Sequence, residues 1–205
     1  AGPFEFSYDY QRADLDVRGP SFYAFAEPGL NDTIYTVSGM SAISALLLGA
    51  RTIMPSAEVL LLPGSYGETI ELVDSHCRHL QPVHLTLPAT HLIRPAGCPR
   101  ILLLDSCATA EAFEAVLRLA PQLDLVVFDT TCFSSGSRRI GRVLRWARRH
   151  KFPVVLVRSH TKLDSLGLEY GRLGSAVFVD AKSPVVGRNR DFLNSLAVDL
   201  SKAVR

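Results

Sequence analysis

Apolar positions along the chain fall into short unbroken runs separated by polar turns, a spacing that predicts strands alternating with helices. Glu58–Leu62, Ile101–Leu104, Leu125–Phe128 and Phe152–Val157 are apolar or β-branched almost throughout, as expected of strands covered on both faces. Val83–Leu87 and Ala176–Val179 read as two further strands. Helical spacing recurs between them. An Ala/Leu-rich run opens at Ser38-Gly39-Met40 and reaches Ala50, and a helix should follow the Pro63-Gly64-Ser65-Tyr66-Gly67 loop as far as about His79. Thr109–Leu119 (with Thr109 as cap), Ser137–His150 and a segment from Asp191 onward complete the set.

This alternation implies an α/β fold, with a mostly parallel sheet of about seven strands and helices on both faces. Residues 1–30 are rich in aromatics, Gly and Pro and lack a sustained period. They are expected to form an N-terminal arm lying on another surface, such as a second subunit. Residues 31–190 form the expected α/β domain, and 191–205 a C-terminal helix. Pro88–Pro99, with three prolines, reads as loop. No internal repeat or low-complexity tract interrupts the pattern.

Composition narrows the function. Apolar residues make up 47% of 205, enough for one well-buried domain. With 22 basic against 20 acidic residues the net charge is only +2, which argues against nucleic acid or a membrane surface as the main partner. No apolar run is long enough to span a membrane and no signal peptide opens the chain. Cys77, Cys98, Cys107 and Cys132 form no C-x-x-C pair, so thiols in a reducing cytoplasm are expected.

The most informative polar cluster is Arg158-Ser159-His160-Thr161-Lys162, at the end of an apolar strand. Open α/β sheets bind ligands at the carboxyl ends of their strands. A lysine there can be kept neutral by desolvation and nearby cations, and a neutral amine forms a Schiff base with an aldehyde. Ser159 and Thr161 add hydroxyls for a phosphate. Together these suggest pyridoxal phosphate; a surface lysine in a loop is the alternative. A helix opened by Ser38-Gly39-Met40 offers free amides to a phosphate. Asp129, at another strand end, could keep a pyridine nitrogen protonated, or it could be a helix cap. Tyr66 could stack on a flat ring, or simply pack.

The ordered series Tyr10-x-Arg12, Ser38-Gly39-Met40, Tyr66-Gly67-x-Thr69, Asp105-Ser106, Asp129-x-Thr131 and Ser159-x-Thr161-Lys162 resembles fold type I pyridoxal-phosphate enzymes, nearest to the Cys/Met-metabolism family. The resemblance spans about residues 10–179 and implies the large cofactor-binding domain. It implies that Lys162 holds the cofactor aldehyde and moves protons at the substrate α-carbon. Gly39 and Met40 would bind the phosphate through their amides, with Ser159 and Thr161 adding hydroxyls. Asp129 would pair the pyridine nitrogen, with Thr131 near the ring. Tyr66 would stack on the ring and act on the leaving group. Tyr10 and Arg12 would reach a neighbouring subunit's phosphate in a homodimer or homotetramer.

Some residues depart from the family pattern. Ala13-Asp14-Leu15-Asp16 replaces a Gly-Asn-Pro-Thr-like run, and Cys107-Ala108-Thr109 stands where proline and asparagine are expected. After Lys162 the segment to Gly174 resembles an aminotransferase pattern, in which Arg172 becomes a phosphate ligand. The family's C-terminal small domain is expected to be absent. The expectation is therefore a cytoplasmic pyridoxal-phosphate enzyme acting on an amino acid by β/γ-elimination or replacement. Transamination, or a non-catalytic subunit that needs a partner, are the alternatives.

Two other clusters are set aside. Arg138, Arg142, Arg145 and Arg149 share a helical face that is expected to be solvated, and His76, Cys77 and His79 offer too few ligands for a metal.

Overall fold

The computed structural model describes residues 5–7, 16–18, 21–23, 31–86, 97–119, 122–164, 172–179, 195–198 and 200. In chain order the elements are β1 (Glu5–Ser7), β2 (Asp16–Arg18), β3 (Asn31–Thr36), α1 (Gly39–Gly49), β4 (Ala57–Leu61), α2 (Gly67–Glu71), β5 (Leu80–His84), β6 (Arg100–Asp105), α3 (Ala110–Leu119), β7 (Leu125–Asp129), α4 (Arg138–His150), β8 (Val154–Ser159) and β9 (Gly174–Val179). Residues 195–198 and 200 are helical. β1 and β2 pair antiparallel as a separate ribbon, with Glu5 opposite Arg18.

The other seven strands form one sheet in the order β3-β9-β8-β7-β6-β4-β5. β5, β4, β6, β7 and β8 are parallel, and β9 runs antiparallel between β8 and β3. Because side chains alternate along a strand, each all-apolar run serves two cores. Val59, Leu61, Leu103, Val127 and Val157 face α1, whose Ile43, Leu46 and Leu47 are buried against them, as are Leu196 and Leu200. Leu102, Leu104, Val126, Phe128 and Leu156 face α3 and α4, which contribute Phe113, Val116, Ile140, Val143 and Trp146.

Three expectations change. β5 begins at Leu80 rather than Val83, paired in register with Ala57, and includes Pro82. Proline is tolerated there because β5 is an edge strand with a neighbour on one side only. The helix expected to reach His79 gives way after Glu71 to one wide turn over Leu72–His76, closed by Cys77 N–H donating to Leu72 O at 3.1 Å. β3 is not announced by any apolar run; its polar residues pair with β9 at the sheet's other edge. Most of the Pro88–Pro99 loop lies outside the described residues.

Part of the N-terminal arm packs on its own chain. Phe22 covers the Arg158 guanidinium at 4.0 Å, and the Tyr23 hydroxyl meets Thr130 Oγ1. Tyr10 and Arg12 lie outside the described residues. The basic face of α4 is exposed as expected, and Arg142 forms a two-pronged ion pair with Glu114 of α3 at 2.5 and 2.6 Å. Among the described residues no group of His, Cys, Asp and Glu could hold a metal ion, and no helix is long and apolar enough to cross a membrane.

α1 is seated on the sheet by backbone contact. A Cβ added to Gly174 would lie 2.2 Å from the Ser38 carbonyl carbon and 2.5 Å from Gly39 N. Backbone cannot yield as a side-chain tip can. Gly174→Ala should therefore lose about 3 kcal/mol of stability. Gly136→Ala, with nothing within 4 Å of the added methyl, should stay within about 0.5 kcal/mol of the parent. Urea unfolding of the two variants checks this.

Candidate active site

The site lies where the carboxyl ends of β4, β6, β7 and β8 meet the N-terminus of α1. β5 and β6 diverge to opposite sides of β4, so the ends of β4 and β6 flank a topological switch point, where open α/β sheets leave a crevice. The crevice is lined by Ile43, Ser65, Thr69, Leu103, Asp105, Val127 and Asp129.

α1 starts cleanly. Ser38 Oγ accepts the Ser41 N–H at 3.0 Å, and Ser41 Oγ accepts the Ser38 N–H at 3.0 Å, a reciprocal cap. Helix geometry leaves the amides of Gly39 and Met40 without intrahelical acceptors. A Cβ added to Gly39 would sit 2.9 Å from Ser159 N, so these amides lie against the end of β8. Met40 reaches α2, where Thr69 Oγ1 donates to its sulfur at 3.5 Å.

Asp129 is held by Thr131, whose N–H and hydroxyl both donate to Oδ1, at 2.8 and 2.6 Å. Thr131 Oγ1 in turn accepts the Ser159 N–H at 3.0 Å, and Ser159 Oγ meets Thr161 Oγ1 at 3.1 Å. One hydrogen-bonded chain therefore links four of the expected site residues across β7 and β8. Burial first, then repulsion from Asp105, pushes Asp129 up to about 6, against the Thr131 bonds and the charge on Lys162. Asp105 is buried and fully occupied: Oδ2 accepts the Tyr66 N–H at 2.8 Å and Oδ1 the Cys107 N–H at 2.7 Å. From the crevice wall it holds the Tyr66 loop in place.

Lys162 sits in the turn after β8 with Nζ 4.1 Å from the centre of the Tyr66 ring. Contrary to the expectation of a neutral amine, Lys162 is exposed, and a hydrogen bond to Tyr66 holds it above the ordinary lysine value. Burial is too slight to outweigh that bond and the nearby Tyr66, Glu68 and Asp129. The Tyr66 hydroxyl donates to Glu68 Oε1 at 2.7 Å. Arg172 stands exposed just before β9, and among the described residues no hydrogen bond or ion pair joins it to the others. The structure thus brings together Gly39, Met40, Tyr66, Asp129, Thr131, Ser159, Thr161 and Lys162.

Two features escaped the sequence reading. Ser65 Oγ is buried in the crevice wall without a hydrogen-bond partner among the described residues. Such an orphan is costly unless a ligand meets it. Its loop setting in Gly64-Ser65-Tyr66 read only as a turn. The second is a clamp behind Lys162. Arg158 is buried and donates to Thr130 O and Phe133 O at 2.6 and 2.7 Å, and through Nε to Asp164 Oδ2 at 2.7 Å. His160 joins Asp164 through Nδ1 and Ser175 Oγ through Nε2, each at 2.8 Å. Ser175 is 1% exposed, so this Ser–His–Asp series positions the loop and is no nucleophilic triad.

Asp129 carries a stability cost. Its folded value, about 6 against an ordinary 3.8, means that the native state holds the proton more tightly than the unfolded chain. Stability is therefore lost as pH rises through that window. Asp129→Asn keeps an oxygen for both Thr131 bonds. It should be more stable than the parent by about 2 kcal/mol near pH 8 and indistinguishable near pH 4. Urea unfolding of the ligand-free chain at both pH values checks this.

No protein-family model matches the sequence, and no curated protein matches it. Solved structures do match the fold. An aromatic-amino-acid aminotransferase from Burkholderia pseudomallei, covalently bound to pyridoxal phosphate, superposes with a TM-score of 0.64 at 17% identity, over 90% of this chain and 50% of that one. A Campylobacter jejuni structure assigned as an O-acetylhomoserine (thiol)-lyase, carrying N'-pyridoxyl-lysine-5'-monophosphate, matches with a TM-score of 0.54 at 16% identity, over 78% of this chain and 38% of that one. The metB protein of Corynebacterium glutamicum matches at 0.53 and 16%, over 86% and 45%. The chain therefore spans about half the length of these structures or less. It has the α/β fold of the large domain of fold type I pyridoxal-phosphate enzymes.

Proposed function

We propose that the chain is the cofactor-binding part of a pyridoxal-phosphate-dependent enzyme acting on an amino acid. The observation that carries this reading is the placement of Lys162 Nζ over the Tyr66 ring, beside Asp129 and the start of α1. The residues suit the group. The first amides of α1 lie against the end of β8, where Ser159 and Thr161 bring two hydroxyls; a carboxylate stands on the adjoining strand, and an orphaned serine hydroxyl lines the crevice. When bound, pyridoxal phosphate supplies an aldehyde that captures amines and a ring that accepts an electron pair from the α-carbon.

The chain's own residues would divide the work. The amides of Gly39 and Met40, with the hydroxyls of Ser159 and Thr161, hold the phosphate at a helix N-terminus. Asp129, ionised above its raised value, pairs with the pyridinium nitrogen; the Thr131 bonds keep it oriented. Tyr66 covers the ring face and, once released from Glu68, can reach a leaving group. Lys162 would be the amine that holds the cofactor and would move the proton at the substrate α-carbon. Its raised value means that the ammonium would have to lose a proton before the amine could react. Tyr10 and Arg12 would act across a homodimer or homotetramer, and Arg172 would join the phosphate.

The reaction favoured is β/γ-elimination or replacement of the Cys/Met-metabolism type. Transamination is the second reading, because the Burkholderia aminotransferase superposes with the higher TM-score, 0.64 against 0.54 for the Campylobacter lyase. A third is a subunit of the same fold that needs a partner, as the departure at Cys107-Ala108-Thr109 suggests.

Incubation with pyridoxal phosphate should produce a visible absorbance band, and borohydride reduction should fix the pyridoxyl group on Lys162, one of four lysines in the chain. Peptide mapping reads this directly; an adduct on another lysine, or no band, rejects the reading. Lys162→Ala should lose the band and reduce any turnover roughly 10³-fold. Within a panel of amino acids, release of ammonia with loss of the β- or γ-substituent selects elimination. Transfer of the amino group to an added 2-oxo acid selects transamination. Activity only on mixing with a longer chain of the same fold selects the partner-requiring subunit.

A further inference from the structure

β6 and β7 run side by side with Asp105 opposite Asp129. The turns leaving them bring two thiols together: Cys107 Sγ and Cys132 Sγ are 3.4 Å apart, although 25 positions separate them in sequence. Both residues are exposed and neither is in a disulfide. Contacts other than the sulfurs set this approach. Ser106 N–H donates to Asp129 O at 2.9 Å, Cys132 N–H to Ser106 Oγ at 3.1 Å and Cys107 N–H to Asp105 Oδ1 at 2.7 Å. A disulfide needs an S–S separation of about 2.05 Å, so the sulfurs must close by roughly 1.4 Å, a distance within reach of side-chain rotation on two exposed turns.

We propose that Cys107 and Cys132 form a reversible disulfide across the ends of β6 and β7, made by exchange with a low-molecular-weight disulfide of the glutathione class. The Cys132 thiolate attacks one sulfur of the small disulfide, forming a mixed disulfide and expelling one small thiolate. Cys107 loses its proton and attacks Cys132 Sγ, which expels the second small thiolate. Two protein thiols are oxidised and one small disulfide is reduced to two thiols, which take up the two protons released.

The order of attack follows from the surroundings. Burial first, then the Cys132 hydrogen bond and the charge of Asp105, push the Cys107 thiol up to about 12. Cys107 is therefore the harder of the two to deprotonate by these surroundings, and it acts second, on the mixed disulfide. The bridge closes beside the segment that carries Tyr66. Tyr66 N–H is held by Asp105, and a Cβ added to Gly64 would lie 3.1 Å from Thr109 N and 3.5 Å from Cys107 O. Cys77 is buried under α1, and Cys98 precedes β6 at the opposite end of the strand, so both serve as internal controls.

The experiment exposes the full chain to graded ratios of oxidised to reduced glutathione. Acid quenching, alkylation and peptide mapping then follow. A linked Cys107–Cys132 peptide should become the majority species as the ratio rises, with Cys77 and Cys98 still alkylated, and dithiothreitol should reverse it. In Cys107→Ser the mixed disulfide on Cys132 should accumulate unresolved, whereas Cys132→Ser should gain far less adduct at Cys107. Separate glutathione adducts on both cysteines of the parent chain, linkage to Cys77 or Cys98, or two alkylated thiols at the highest ratio would each overturn the proposal. The parent chain alone decides these outcomes, whether or not either variant folds.

Discussion

A helix can offer its first amides to a ligand only if its N-terminus reaches the ligand's level, and here two glycines permit that approach. Gly174, at the start of β9, lies so close beneath Ser38 and Gly39 that any side chain would overlap backbone. Gly39 in turn presses against Ser159 at the end of β8. The start of α1 is thereby fixed over the ends of the central strands. Every other part of the crevice is placed relative to that contact, because the same strand ends carry Asp129, Thr131 and Ser159.

The two faces of the sheet divide the labour at this end. On the α1 face, Asp105, Asp129 and Ser159 follow the alternation that buries Leu103, Val127 and Val157 lower down. On the other face, the intervening Arg158 is buried and grips Asp164, which also takes His160. The turn carrying Thr161 and Lys162 is therefore bounded by Ser159 and Asp164. A buried guanidinium is tolerable only because carbonyls and a carboxylate satisfy it, and Phe22 from the N-terminal arm closes it from solvent. The arm thus has a structural part within its own chain, whatever else it does.

The two carboxylates opposite one another in register, Asp105 and Asp129, have different fates for a physical reason. Asp105 accepts backbone N–H groups from two loops, one on each oxygen. Asp129 is satisfied on one oxygen by Thr131 while burial and Asp105 oppose its charge. A carboxylate in that condition gains most from a cation arriving in the crevice.

The sequence by itself determined the layering, because an unbroken apolar strand has no solvent face to choose and must be covered twice. It also determined which residue types end each strand, so that Tyr66, Asp129, Ser159 and Lys162 could be picked out in order. Tertiary structure decided the rest. The polar edge strand β3 and the proline-containing edge β5 are held by pairing with neighbours, and no local pattern records that. The protonation of Lys162 turned on whether Tyr66 or an apolar wall lay beside it. The orphaned Ser65 hydroxyl and the meeting of Cys107 with Cys132 depend on loops from different strands converging. Such convergence is set by strand order and register, and these exist only once the sheet has formed.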